Sequence, residues 1–127
     1  MSVPETSRTF ATQPPRERIV IVGHCASGKS TLVDSLRELG YDAYVAAQEH
    51  SEVPALWAHL QPDVVIALSV SAAEVRRRRT PSWPDWLHRK QTRRLRAAYQ
   101  AADLLIDTDT LDQDAVQQAV LTYLESR

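Results

Sequence analysis

Two hydrophobic periods alternate along this chain. Ile19-Val20-Ile21-Val22 is an unbroken β-branched run, the pattern of a strand buried on both faces. A polar, glycine-bearing stretch follows. Then Leu32, Val33, Leu36 and Leu39 recur at helical spacing, and Gly40 marks a stop. Tyr41 to Ala47 predicts a second strand of low polarity. Ser51 predicts the N-cap of a short helix through Val53, Leu56, Trp57 and Leu60, with Pro54 in its first turn and Pro62 ending it. Asp63 to Val70 is the clearest strand after the first. A capping box, Ser71-x-x-Glu74, opens a helix that runs into Arg76–Arg79 and stops before Pro81. Ser82-x-x-Asp85 opens a longer helix through Trp86, Leu87, Leu95, Ala98 and Tyr99. Leu104, Leu105 and Ile106 predict the last strand. Thr110-x-x-Gln113 predicts the cap of a final helix whose apolar face is Val116, Ala119, Val120, Tyr123 and Leu124.

Strands alternating with helices call for βαβ units. The fold expected over residues 18–127 is a three-layer α/β fold, a parallel sheet of about four strands flanked by helices. Residues 1–17 carry no periodic apolar pattern and read as a flexible N-terminal tail. The length, 127 residues, suits one domain. Cys25 is the only cysteine, so an intrachain disulfide is excluded and a reducing, cytoplasmic setting is expected. No apolar run approaches membrane-spanning length and no secretory leader is evident, so no membrane partner is expected.

The polar stretch between the first strand and the first helix carries the chemistry. Gly23-His24-Cys25-Ala26-Ser27-Gly28-Lys29-Ser30 reads G-x-x-x-x-G-K-S, the phosphate-binding P-loop pattern, in its required strand–loop–helix context. Glycines at Gly23 and Gly28 let successive N–H groups turn inward around an anion. The helix starting near Lys29 adds its positive end. Lys29 brings a mobile charge to the β- and γ-phosphates, and the Ser30 hydroxyl is a Mg²⁺ ligand. The loop, with Thr31, is the expected binding site of a nucleotide, with ATP and Mg²⁺ as cofactors.

The absent motifs narrow the class. The chain has three glycines, Gly23, Gly28 and Gly40, which leaves none for the γ-phosphate-sensing turn of a regulatory GTPase or the signature of a transporter ATPase. Lys29 and Lys90 are the only lysines, so a guanine-reading Asn/Thr-Lys-x-Asp is missing as well. The stretches V-V-I-A-L-S-V-S-A-A-E-V-R-R-R-R and R-R-L-R-A-A-Y-Q-A-A-D-L-L-I-D-T-D, together with the P-loop, resemble the small P-loop kinases of metabolites and nucleotides, such as shikimate and adenylate kinases. That resemblance implies an arginine-bearing lid after the penultimate strand. It also implies that Asp107 and Thr108, in the turn after the last strand, lie beside the base or ribose. The chain departs from those kinases in a shortened middle and in having no strand that ends in the Mg²⁺-holding aspartate, since Leu-Leu-Ile-Asp107 imitates that pattern but fits the terminal strand.

Phosphoryl transfer needs a phosphate cradle, a metal, cations over the transferring group and an acceptor site. Glu49 follows the second strand at the edge facing the loop and is the candidate for acceptor binding or metal–water ligation. His50 beside it reads as a packing or capping residue. Arg76–Arg79 point about 100° apart on a helix, so one or two face phosphate; Arg76 and Arg79 are taken as the catalytic candidates with Lys29 and Glu49. Arg93, Arg94 and Arg96 form a second basic set. Trp83 and Trp86 read as lid packing, and the side chain of His24 as ordinary loop.

The expected activity is a kinase passing the γ-phosphate of Mg·ATP to a small-molecule acceptor. Two rival readings stay open. One is a non-catalytic nucleotide-binding module or sensor derived from such a kinase. The other is a nucleic-acid-binding protein or polynucleotide 5′-end kinase, suggested by nine basic residues between Arg76 and Arg96 where Asp85 is the only acid. The net charge of −1 says nothing either way.

Overall fold

The β-branched run forms strand β1 (Arg18–Gly23), and its alternating side chains divide the core into two halves. Ile19 and Ile21 face one side of the sheet, where they meet Leu32, Val33 and Leu36 of helix α1 (Lys29–Glu38) and Val116 and Val120 of helix α4 (Gln113–Glu125). Val20 and Val22 face the other side, against Leu95 and Ala98 of helix α3 (Asp85–Ala101). A strand covered on both faces needs no polar alternation, which is why the run is uniformly apolar. The computed structural model describes residues 16–127.

The remaining strands are β2 (Asp42–Val45), β3 (Val64–Ser69) and β4 (Leu104–Asp107), and helix α2 (Ala72–Arg78) precedes α3. The sheet has four strands in the order β2-β1-β3-β4, all parallel. The chain leaves β1 toward β2 through α1, then crosses back to β3 on the opposite face through two 3-10 helices, Gln48–His50 and Leu56–Leu60. Right-handed crossovers running in opposite directions must use opposite faces. The reversal opens a crevice at the carboxyl end of β1, where α/β sheets place their ligands. The expected three-layer α/β arrangement is thus present. No helix among the described residues is long and apolar enough to cross a membrane.

Several local expectations are corrected. Ser51 caps no helix. Its backbone is extended and its hydroxyl accepts from Val53 N–H at 3.0 Å. The buried Gln48 side chain donates to Val53 O and accepts from Trp57 N–H, so the segment's polar groups find partners outside a helix, and only the 3-10 turn from Leu56 forms. Ser82 is also no cap: α3 starts after Pro84, whose side chain has no polar atom to cap with, while the Ser82 hydroxyl pairs with Thr80 and the Asp85 carboxylate with Arg76. The cap of α4 is Asp112, which accepts from Ala115 N–H at 2.8 Å, two residues beyond the predicted Thr110. Ala119 is exposed, and Leu121 packs on the core in its stead. The Ser71 cap forms, with its hydroxyl accepting from Glu74 N–H at 3.1 Å, but only as half of a capping box. Glu74 turns to Arg77 and Arg78, while Ser71 N–H donates to Asp109. Of the expected tail, residues 1–15 lie outside the described residues, and Glu17 pairs with Arg127.

Candidate functional site

The loop from Gly23 to Ser30 turns sharply because two of its residues take left-handed backbone, Ala26 at φ 63° and Gly28 at φ 94°. Gly28 does so at no steric cost. Gly23 has a different reason to be glycine. A Cβ there would stand 2.4 Å from the carbonyl oxygen of Leu68 on β3 and 2.7 Å from Ser27 Oγ. The loop therefore begins where β1 and β3 approach too closely for any side chain. Helix α1 follows at Lys29, so the N–H groups of its first turn face the loop without intrahelical partners.

Lys29 is buried and all three of its ammonium protons are engaged. They reach Gly23 O at 2.9 Å, His24 O at 2.9 Å and Glu49 Oε2 at 2.8 Å. Glu49, 3% exposed, is thus a neutralised buried carboxylate rather than a solvated loop acid. Its position is built from several sides. Ala46 N–H extends the sheet pairing to Ile21 O, Gln48 anchors the following turn, and Arg94 donates to Glu49 O. Its second oxygen, Oε1, is buried with no hydrogen-bond partner among the described residues. His50 Nε2 lies 3.6 Å from Glu49 Oε2 and 3.5 Å from Cys25 Sγ.

The arginine run divides by helical geometry. Arg78 turns toward the loop and donates to Ala26 O at 2.9 Å and to Thr108 O at 2.6 Å, with Nε on Glu74. It ties the strained Ala26 peptide to the turn after β4. Glu74 lies between Arg77 and Arg78, and hydrogen bonds from Arg77 above all lower its pKa to about 2. Arg79 reaches the same cavity as Lys29 and Glu49. Arg76 does not: it donates to Trp83 O and to the Asp85 carboxylate, so its expected catalytic place is corrected to a tie between α2 and the start of α3. Arg93, Arg94 and Arg96 line a separate cavity with Glu52 and Ser51, away from the loop.

Two cavities share the loop as a wall. The first, about 330 Å³, is lined by Ala26, Ser27, Gly28, Thr31, Arg78 and Thr108. The second, about 470 Å³, is lined by Lys29, Ser30, Glu49, His50, Arg79 and Trp83. Thr108 lines the first cavity, and its hydroxyl donates to Ser69 O at 3.0 Å. Asp107 is not brought to either cavity. It is exposed, and its carboxylate accepts from Asp109 N–H, folding the turn on itself.

Two side chains of the loop face inward, which corrects the reading of His24 as ordinary loop. His24 stacks on His88 with ring centroids 4.3 Å apart and bonds Thr92 and Tyr99 hydroxyls at 2.8 Å and 2.9 Å. A neutral imidazole has one N–H, so one of those hydroxyls must donate to the ring. Burial, aided by His88 and Lys29, lowers the His24 pKa to about 4. Cys25 N–H donates to the buried Gln91 Oε1 at 3.1 Å, and Gln91 Nε2 donates to Cys25 Sγ at 3.1 Å. Gln91 and Arg78 are the site residues that sequence reasoning missed. Arg78 was visible as one of four arginines, but which of them faced the loop depended on helix phase. Gln91 carried no signal.

In comparison with protein families, curated proteins and solved structures, no match is found for this chain.

Proposed function

We propose that this chain is a P-loop protein that binds Mg·ATP and transfers its γ-phosphate to a small-molecule acceptor. The observation that carries the reading is the Gly23–Ser30 loop acting as the common wall of two cavities, with the buried Lys29–Glu49 pair beside it. A donor nucleotide fits the side of Arg78 and Thr108; an acceptor fits the side of Glu49, His50 and Arg79.

The residues suit the cofactor. Ser27 Oγ, Glu49 Oε1 and Trp83 Nε1 are buried around the loop without partners among the described residues, and a buried polar atom without a partner costs about 1–3 kcal/mol. A polar ligand would satisfy such atoms. The exposed Ser30 hydroxyl would hold Mg²⁺, and the first-turn N–H groups of α1 would bind phosphate oxygens. Mg·ATP, when bound, supplies the activated phosphoryl group. Lys29 exchanges one of its three present acceptors for phosphate. Glu49, released from part of that pair, would accept a hydrogen bond from the acceptor hydroxyl or would help to hold the Mg²⁺ site through water. Arg79 lends its guanidinium to the charge that builds between the cavities.

Thermal unfolding with Mg·ATP, Mg·GTP and ADP, beside a Lys29→Ala control, tests binding. A nucleotide at a hundred times its Kd adds about 2.7 kcal/mol of stability. That shift is expected with Mg·ATP and is expected to vanish in the variant. ADP formation across pools of hydroxyl and phosphate acceptors then tests transfer, and Glu49→Gln should keep the thermal shift while losing turnover. Binding without turnover over a broad pool would instead make the chain a nucleotide sensor. No shift with any nucleotide would sink both readings.

A further inference from the structure

The wall of the second cavity holds a cluster of metal-ligating atoms that shares Glu49 and His50 with the proposed acceptor side. One ligand atom each from Cys25, Glu49 and His50 lie within 4.8 Å of one another. Cys25 and Glu49 are buried and His50 is largely exposed, so the cluster has a closed floor and an open mouth. The 3.5 Å between Cys25 Sγ and His50 Nε2 is within hydrogen-bond reach for a thiol. It matches two ligands on one tetrahedral zinc ion, for which bonds of about 2.3 Å to sulfur and about 2.0–2.1 Å to nitrogen set the pair about 3.5 Å apart. The separate pointer to a ligand is Glu49, whose Oε1 is buried with no hydrogen-bond partner among the described residues although Lys29 already holds Oε2.

We propose that Cys25 Sγ, the Glu49 carboxylate and His50 Nε2 form a three-ligand site for a thiophilic divalent cation, Zn²⁺ above all. Ligand chemistry favours that ion over Mg²⁺: a thiolate, an imidazole and one carboxylate are a borderline-soft set, whereas Mg²⁺ takes oxygen. Binding displaces the Cys25 thiol proton to solvent, and His50 binds through its neutral ring. Thiolate and carboxylate offset the charge of the ion and, with the Lys29 ammonium still on Glu49, leave one net positive charge that an anionic fourth ligand would complete, while Gln91 Nε2, 3.1 Å from Cys25 Sγ, supplies the donor that steadies a thiolate. The fourth position opens to the cavity lined by Ser30, Arg79 and Trp83, where a water or an anionic oxygen completes the coordination. The proposal shares Glu49 and His50 with the nucleotide reading but does not depend on it, and it is tested without nucleotide.

Cobalt is the probe, because a Co²⁺–thiolate bond absorbs in the near ultraviolet and Cys25 is the chain's sole thiol. Titration of the full, reduced chain with Co²⁺ should give one equivalent of that absorption, which Zn²⁺ abolishes. Cys25→Ala should remove it. His50→Ala, at an exposed position where folding is not at stake, should weaken metal binding at least about tenfold. No sulfur-to-cobalt absorption in the folded wild type overturns the site, as does an absorption and affinity that His50→Ala leaves unchanged.

Discussion

A methyl group on Gly23 would press 2.4 Å from a backbone carbonyl, which cannot swing aside as a side chain would, whereas the space beside Gly28 is open within 4 Å. The two glycines therefore predict different penalties. Gly28→Ala carries only the left-handed strain, about 1–2 kcal/mol. Gly23→Ala must part β1 from β3 and should cost about 3 kcal/mol or more; urea unfolding of the two variants reads the difference. His24 predicts a pH dependence. Its folded pKa, about 4, lies below the ordinary value of 6.5, so between those values the unfolded chain binds the extra proton. Stability from this group is complete above about pH 6.5 and is lost as the pH falls toward 4, by an amount of order 2–3 kcal/mol. His24→Gln should flatten the stability profile in that window, measured by denaturant midpoints from pH 7.5 to 4.5.

At the scale of elements, the helix starts separate what a short pattern specifies from what neighbours decide. Ser71, Ser82 and Thr110 all sit in cap-like patterns, yet only Ser71 caps. Asp85 is taken by Arg76 across the turn, and Asp112 stands nearer the first core residue of its helix, Val116. Asp112→Ala should therefore cost about 1 kcal/mol, and Thr110→Ala less than about 0.5 kcal/mol. Thermal melts of both in one buffer distinguish them. Equal losses would restore Thr110 as the cap.

Across the whole molecule, the basic segment is less free than its composition suggests. Arg76 pairs with Asp85, Arg77 and Arg78 share Glu74, and Arg94 meets Glu52. Arg79, Arg89, Lys90, Arg93 and Arg96 keep no ion pair among the described residues, but they are divided, Arg79 at the loop cavity and Arg93 and Arg96 at a separate one. Binding to a single-stranded oligonucleotide should accordingly be weak at 150 mM salt. A steep fall in affinity between 50 and 200 mM salt, by about a thousandfold, would reveal many phosphate contacts and favour the nucleic-acid reading.

The sheet, its parallel sense and the loop with Lys29 and Ser30 were legible in the chain because each rests on local information. A β-branched run, a glycine-punctuated turn and a 3.6-residue period lie within a few residues of one another. Glu49 was legible for a related reason, since the end of a strand beside the first points to the loop. The fate of the arginines was not. Arg76 and Arg78 are two positions apart on one helix and so point roughly 200° apart. Which of them met the loop depended on where β4 and α3 came to rest. Asp107 and Thr108 differ likewise: one is exposed and the other is buried against Ser69 and Arg78. Gln91 reaches Cys25 across 66 positions of sequence. The sequence alone determined the sheet, the glycine-bearing turn and the cation at its end, all set by short-range sterics and periodicity. Tertiary structure decided which polar side chains close around that turn, because partners for buried charge are chosen by distance in space.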